Sequence, residues 1–288
     1  MTATRELTTE PPPIKRTAAG RALAVLDTFG PGNRALTLSE IARRAGLTLP
    51  TTHRLVGELV SWGALERHPS SGRYYVGLRL LELAALAPRG LALREAAYPY
   101  LDDLHQATRA NVHLGVRDGR EVVYVETMRS RVSAQISSRV GDRWPLHATG
   151  TGLVLLAFAD KEMQDTVLQA PLVRFSPKTI VDPRDLRRVL ADVRQTGVVI
   201  TRQQISMDAL AVAVPVRGPY DRVVAAISVV VGLEETVPQR LVAMLLDTAH
   251  SISCALNASP TPVLPARQPY RPDGDLEQPW AVGGHRGM

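Results

Sequence analysis

The most constraining feature of the 288-residue chain is a short run between Thr37 and Trp62 in which two helix starts flank a single glycine. Thr37 and Glu40 have capping-box spacing. The threonine hydroxyl serves the amide three residues on, and the glutamate returns to the amide of the cap. Ile41, Ala45, Leu47 and Leu55 supply inward apolar positions, Ala42 is small where a second helix would cross, and Gly46 can take the positive φ of a tight turn. Thr48 then caps a second helix whose start presents Thr51, His53 and Arg54, with Leu55, Leu59 and Trp62 facing inward. This is helix-turn-helix spacing. One position departs from it: at Thr52 an apolar β-branched residue would pack better.

The residues after the second helix fit the same unit. Leu65 to Val76 is a compact hairpin with Pro69-Ser70-Ser71-Gly72 as turn material, a wing carrying Arg67 on one arm and Arg73 on the other. Lys15 to Arg79 contains ten basic residues against four acids, which accounts for the whole net charge of +6. A basic block is often only a solvated face, and a helix-turn-helix pattern can be a three-helix bundle that merely packs. Here charge and pattern coincide, which favours double-stranded DNA. Thr48, Thr51, His53 and Arg54 sit where short hydroxyl and basic side chains reach base edges. Arg67 and Arg73 are placed to hold phosphates.

The length admits two domains. Residues 1–14 read as a disordered arm, 15–77 as the winged helix-turn-helix, 78–97 as a linker helix region, 98–257 as a second domain and 258–288 as a flexible tail. The second domain opens with strands at 112–116 and 121–127 around Asp118-Gly119, and a third at Ser133–Val140. Helices come next near 150–159, 161–169 and 183–195, then strands near 197–204, 209–217 and 222–231 and a helix from Pro238 to Leu256. The order βββ-ααα-βββ-α predicts an α+β fold with a largely antiparallel sheet. No apolar run approaches a bilayer span, and the N-terminus lacks the apolar stretch of a secretory signal. The lone Cys254 reads as a buried helical thiol and fits a reducing, cytoplasmic setting.

Thr149 can cap the helix after Pro145–Gly152, and Gly150, Thr151 and Gly152 let a carboxylate approach its first amides. The alternative is a glycine-rich helix start packed tightly on the sheet. Gly150-Thr151-Gly152 is no dinucleotide fingerprint, because no third glycine comes at the right place. His147 has no second ligand at metal spacing, so neither a metal nor a cofactor is expected. No nucleophile elbow, supported Cys/His pair or phosphate loop is present, so no catalytic residues are assigned. Two rivals stay open: an enzyme fused to a DNA-binding domain, and an architectural DNA binder whose second domain only oligomerises.

The chain resembles the IclR family of bacterial regulators. LTLSEIARRAGL, THRLVGELVSWGAL and SGRYYVGLRLLEL, then VHLGVRDGREVVYVE, SRVGDRWPLHATGTG and VAVPVRGPYDRVVAAISVV, keep that family's order and spacing over about Ala18 to Leu256. The resemblance implies a homodimer or homotetramer on a palindromic operator, and a C-terminal GAF-like domain that binds a small effector. It also implies a site lined by the helix start at Gly150 and Thr151 and by Thr201, Ala211, Ser228 and Val230. Ala211 and Val230 depart from the polar residues the family often has there, and Leu153 replaces its usual lysine. An aromatic or medium-chain organic acid is therefore expected in preference to glyoxylate, pyruvate or hydroxylated acids. The role expected is that of a repressor. The apolar residues of Ala18–Phe29 and Leu78–Leu86 exceed what a winged domain buries, and are candidate contacts between copies.

Overall fold

The capping box forms with both halves in place. The Thr37 amide donates to Glu40 Oε2 at 2.7 Å and the Glu40 amide to Thr37 Oγ1 at 3.3 Å. The computed structural model describes residues 17–30, 32–131, 138–233 and 238–258, in two units that divide between Leu91 and Ala92. The first holds α1 (Ala18–Leu26), α2 (Leu38–Ala45), α3 (Leu49–Trp62), β1 (Leu65–Arg67), β2 (Tyr74–Val76) and α4 (Leu78–Ala85). Gly46 ends α2 at φ +63, and Val25, Leu36, Ile41, Leu55, Val56 and Leu65 close the core. Each such aliphatic side chain contributes roughly 1.5–3 kcal/mol when fully buried.

Thr52 belongs to that core after all. It is fully buried, and its hydroxyl donates to the Thr48 carbonyl at 3.0 Å, which satisfies it without an outside partner. Trp62 does not face inward. It is 45% exposed, with the Arg79 guanidinium 4.7 Å from its ring centroid. Gly63 (φ +87) turns the chain at that point, so Ala64 and Leu65 fill the core in its place. The wing closes onto this turn at Gly77, where a Cβ would lie 2.2 Å from the Gly63 carbonyl oxygen. Helix α4 buries none of its residues: Leu78, Leu81 and Leu83 are exposed, as is Leu86 just after it.

In the second unit β3 (Asn111–Asp118), β4 (Glu121–Met128), β5 (Arg143–Pro145), β6 (Val199–Arg202), β7 (Ala209–Arg217) and β8 (Val223–Gly232) form an antiparallel sheet of order β5-β4-β3-β8-β7-β6. α5 (Leu93–Thr108) and α9 (Pro238–Ala258) cover one face. α6 (Gly150–Ala157), α7 (Lys161–Gln169) and α8 (Pro183–Thr196) pack on the other. Leu93 and Ala97 lie in the core, so the unit starts ahead of residue 98.

The third strand is Arg143–Pro145 rather than Ser133–Val140. Arg143 anchors it through ion pairs to Asp118 at 2.8 Å and Glu121 at 2.7 Å. Residues 138–140 are not strand, and 132–137 lie outside the described residues, as do the arm at 1–14 and all but the first residue of the tail at 258–288. Gln239–Ala258 has the length and mean hydropathy, 1.3, of a membrane span, contrary to the expectation that no run approaches one. Its stripe Leu241, Leu245, Ala249, Ile252 and Leu256 is buried in the sheet core, as in a core helix. Cys254 falls off that stripe and is exposed, contrary to expectation, with Sγ 3.6 Å from His250 Nε2.

Candidate functional site

At the start of α3 the backbone of Thr48 has cap geometry, but its hydroxyl donates to Thr51 Oγ1 at 2.9 Å and accepts from no helix amide. Thr48, His53 and Arg54 are exposed on this end and Thr51 is half-buried, so the four expected residues share the exposed N-terminal half of one helix. Arg54 pairs with Glu58 at 2.6 Å, an exposed i,i+4 contact worth less than about 1 kcal/mol and easily exchanged for a ligand group.

The two wing arginines differ. Arg67 is exposed on β1, its guanidinium 5.9 Å from the Tyr74 ring centroid. Arg73 turns inward, donating to the Ala35 carbonyl at 2.9 Å and approaching Glu40 Oε2 at 3.4 Å. Both contacts use Nη1, so one edge of the guanidinium is fixed to the segment around α2 while the side chain stays 43% exposed, a different setting from that of Arg67. The Glu40 carboxyl is held below the ordinary carboxylate range, first by the Thr37 amide, then by the Thr37 hydroxyl, with Arg73 and Arg44 adding to it.

In the second unit Thr149 accepts from the Gly152 amide at 3.0 Å, and the Gly150 and Thr151 amides stand ahead of the intrahelical ladder. Gly152 fits the tight-packing reading, since a Cβ there would lie 2.4 Å from the Leu146 carbonyl oxygen. Gly150 faces the sheet: its Cβ position is 3.7 Å from Ala211 Cβ and 3.8 Å from Thr201 Oγ1. Thr201, Ala211, Val230 and Asn111 form one cross-strand row, and Ala213, Ser228 and His113 belong to another. The expected effector residues thus converge on one patch of sheet beside one helix start.

Three residues of that patch were not anticipated. His113 is buried and stacks on Tyr124, ring centroids 4.8 Å apart and planes 21° from parallel. Ser228 Oγ lies 3.4 Å from His113 Nδ1, and the Thr151 hydroxyl 3.5 Å from that of Tyr124. Burial pushes His113 down to about 4 and the Tyr124 hydroxyl up. Asn111 is held in place, donating to the Val230 carbonyl and accepting from the Ser130 amide. In the sequence His113 and Tyr124 are ordinary members of two alternating strands; only the fold brings them together.

His147 is structural, its Nε2 3.0 Å from the Val173 carbonyl, and burial lowers its pKa. Leu153 is wholly buried in the α6 core. Among the described residues no group of three or more His, Cys, Asp or Glu could hold a metal. An open cleft of about 570 Å³ is lined by His105, Gln106, Arg109, Arg129, Ser130 and Arg131, and the Ser130 amide links its rim to Asn111 at the edge of the α6 patch. It sits at the C-terminal end of α5, where the helix dipole favours the nearby cations.

The family model described as "Bacterial transcriptional regulator IclR C-terminal" matches residues 86–254, and "IclR helix-turn-helix domain" matches 18–69. The chain belongs to the IclR family. It is a DNA-binding transcriptional regulator of the kind the resemblance implied. XynR of Escherichia coli is 32% identical over 72% of this chain and 83% of its own, and KdgR of Dickeya chrysanthemi 29% over 81% and 77%. An IclR homolog from Microbacterium hydrocarbonoxydans, solved with 4-hydroxybenzoate, is 37% identical with a TM-score of 0.81 over 84% of this chain and 100% of its own.

Proposed function

We propose that this IclR-family regulator is a repressor that binds a palindromic operator as a symmetric dimer or tetramer and is released by a small aromatic carboxylate. The first amides of α6 and the Thr151 hydroxyl take the carboxylate, and the Ala211 and Val230 wall takes the ring. The observation that carries this is the packing of Gly150 against Thr201 and Ala211, which leaves the helix start facing the polar and apolar mixture an aromatic acid requires. The 4-hydroxybenzoate held by the Microbacterium relative supports the same ligand class.

His53 and Arg54 read bases, with Thr48 and Thr51 beside them, while Arg67 holds a phosphate and Arg73 positions the wing. One recognition helix reads too few base pairs for a useful site, so a second copy is needed. The exposed leucines of α4, with Leu23 of α1, supply a surface for it. The protein acts in the cytoplasm, uses no cofactor and catalyses no reaction of its own.

Selection of bound DNA from a random pool, followed by release of that DNA with a panel of aromatic and short aliphatic acids, tests the proposal. Release by benzoate-type acids at micromolar to millimolar concentration is expected. DNA affinity indifferent to every acid would favour the architectural reading instead.

A further inference from the structure

We propose that the cleft at the end of α5 is a second ligand site on this regulator, one that takes the phosphoryl group of a small phosphorylated metabolite. The site is separate from that of the aromatic acid at the start of α6, and stands whether or not that acid binds.

The cleft is built around one serine. Ser130 Oγ donates to the Arg109 carbonyl at 2.5 Å, and the Ser130 amide donates to Asn111 Oδ1 at 3.0 Å. The segment Arg129–Arg131, which leaves the end of β4, is thereby pinned onto the end of α5, and its two arginines line the same cleft as Arg109. Arg109 itself ends the helix in the left-handed region, at φ +51 and ψ +26, where glycine or asparagine is the undemanding choice. Its amide donates to the His105 carbonyl at 2.7 Å. His105 Nδ1 lies 2.7 Å from the Ala110 carbonyl oxygen, which can only accept, so that nitrogen donates and holds the turn from the other side. Three arginines therefore line a cleft whose backbone is fixed by short hydrogen bonds.

No acid lies between them among the described residues. The ion pairs there engage Arg54, Arg73, Arg94, Arg143, Arg188 and Arg217, none of which lines this cleft. The other lining residues, His105, Gln106 and Ser130, carry no negative charge. Asp102, one turn back on α5, accepts from the Gln106 side-chain amide at 2.7 Å. The end of α5 contributes only about half a negative charge through its dipole, so three guanidiniums leave the cleft strongly positive.

That charge decides the ligand class. A single carboxylate is satisfied by one guanidinium fork, whereas three arginines match a group with more charge and more acceptor oxygens. A phosphoryl group carries nearly two negative charges at neutral pH and offers three acceptors. The volume of about 570 Å³ leaves room for the body of a small metabolite beyond the phosphate itself.

Calorimetric titration of the full chain with pyrophosphate, inorganic phosphate and acetate at constant ionic strength tests the site, on wild type, Arg129→Ala, Arg109→Gly and Arg187→Ala. Arg129 is exposed and glycine suits the left-handed position of Arg109, so both variants should fold; Arg187, exposed on α8, removes the same charge outside the cleft. Wild type should bind pyrophosphate saturably, phosphate more weakly and acetate not at all. Arg129→Ala and Arg109→Gly should each weaken pyrophosphate about tenfold, the lower end for a hydrogen bond between charged groups, while Arg187→Ala leaves it unchanged. No saturable binding of pyrophosphate by wild type at millimolar concentration, or an equal loss in Arg187→Ala, would overturn the site. Acetate binding as tightly as pyrophosphate would overturn the phosphoryl class. A salt dependence of DNA binding flattened by Arg129→Ala, with pyrophosphate binding untouched, would overturn the proposal in favour of a contact to the DNA backbone.

Discussion

Arg73 Nη1 donates to the carbonyl of Ala35 at 2.9 Å across 38 residues of sequence, and so ties the wing to the segment that opens α2. The same guanidinium approaches Glu40, the acidic half of the capping box. Arg73→Ala should therefore loosen the wing. Thermal unfolding should report a loss of about 1–2 kcal/mol, the range for a charge-assisted bond that is only half-buried. DNA affinity should fall on all sequences while the dependence of log K on log salt keeps its slope. A slope reduced by about one would mean that Arg73 touches phosphate directly.

Arg67 and Arg54 give the complementary pattern. Arg67→Ala should leave stability within about 0.5 kcal/mol of wild type and reduce the salt slope by about one. Arg54→Ala frees Glu58 from a weak surface pair and should cost about 1–3 kcal/mol on the true operator, with relaxed preference among related sites. Binding curves on operator and random DNA at several salt concentrations separate the two. Unchanged affinity of Arg54→Ala for both DNAs would remove α3 from base reading.

The first unit was legible because its signals are local. A capping box, a positive-φ glycine and a basic hairpin each occupy a few consecutive residues, and the structure places them as their spacing predicts. Where expectation and structure part, the cause lies beyond the local pattern. Arg67 and Arg73 look equivalent in sequence, and only the approach of Ala35 distinguishes them. Helical spacing alone points Trp62 and Cys254 inward, but Gly63 ends one helix at its tryptophan and the buried stripe of α9 runs past its thiol. The short strand at Arg143 is fixed by ion pairs to Asp118 and Glu121, more than twenty residues away. His113 and Tyr124 meet through strand register, which no short window contains.

Thr52 offers a direct check on one such departure. Its hydroxyl donates to the Thr48 carbonyl, which also accepts from the Thr52 amide at 2.9 Å. Thr52→Val removes the hydroxyl without stranding that carbonyl and leaves a side chain of similar shape in a fully buried position. Stability should change by less than about 1 kcal/mol, in either direction. Thr52→Ala empties part of the core and should cost roughly 1–2 kcal/mol more. Denaturant unfolding of the two variants checks the order, and a Val variant worse than Ala would mean that the hydroxyl has a further partner.

His113 predicts a pH dependence. Its folded pKa is about 4 against an unfolded 6.5, because burial penalises the charged ring. Above 6.5 both states are neutral and the residue has no effect. As pH falls from 6.5 towards 4 the unfolded chain takes up a proton that the folded chain refuses, so stability declines, by roughly 3 kcal/mol at most, and levels off below 4. His147, lowered in the same sense by burial, adds to the decline. His113→Phe should remove the His113 part, so the stability difference between variant and wild type should move in the variant's favour between pH 6.5 and 4.5. A constant difference across that range would mean that the ring titrates normally.

The hairpin between β7 and β8 carries two consecutive non-glycine residues in the left-handed region, Tyr220 at φ +59 and Asp221 at φ +57. Two-residue hairpin turns with positive φ at both central positions favour Asn-Gly, because asparagine tolerates this region and glycine has no Cβ to strain. Tyr220 gains nothing to offset its strain by burial, being 93% exposed. Asp221 recovers part of its cost through its ion pair with Arg217 at 2.9 Å, although that pair is largely exposed and weak. Tyr220→Asn should therefore stabilise the second unit by about 0.5–1 kcal/mol, and Asp221→Gly should yield less, because it gives up the Arg217 contact along with the strain. The double variant should raise the melting temperature without altering acid binding at the α6 patch, which the turn does not touch. A Tyr220→Asn protein less stable than wild type would show that the tyrosine ring is covered in solution, and a concentration-dependent melting temperature in wild type alone would identify the cover as a second copy of the chain.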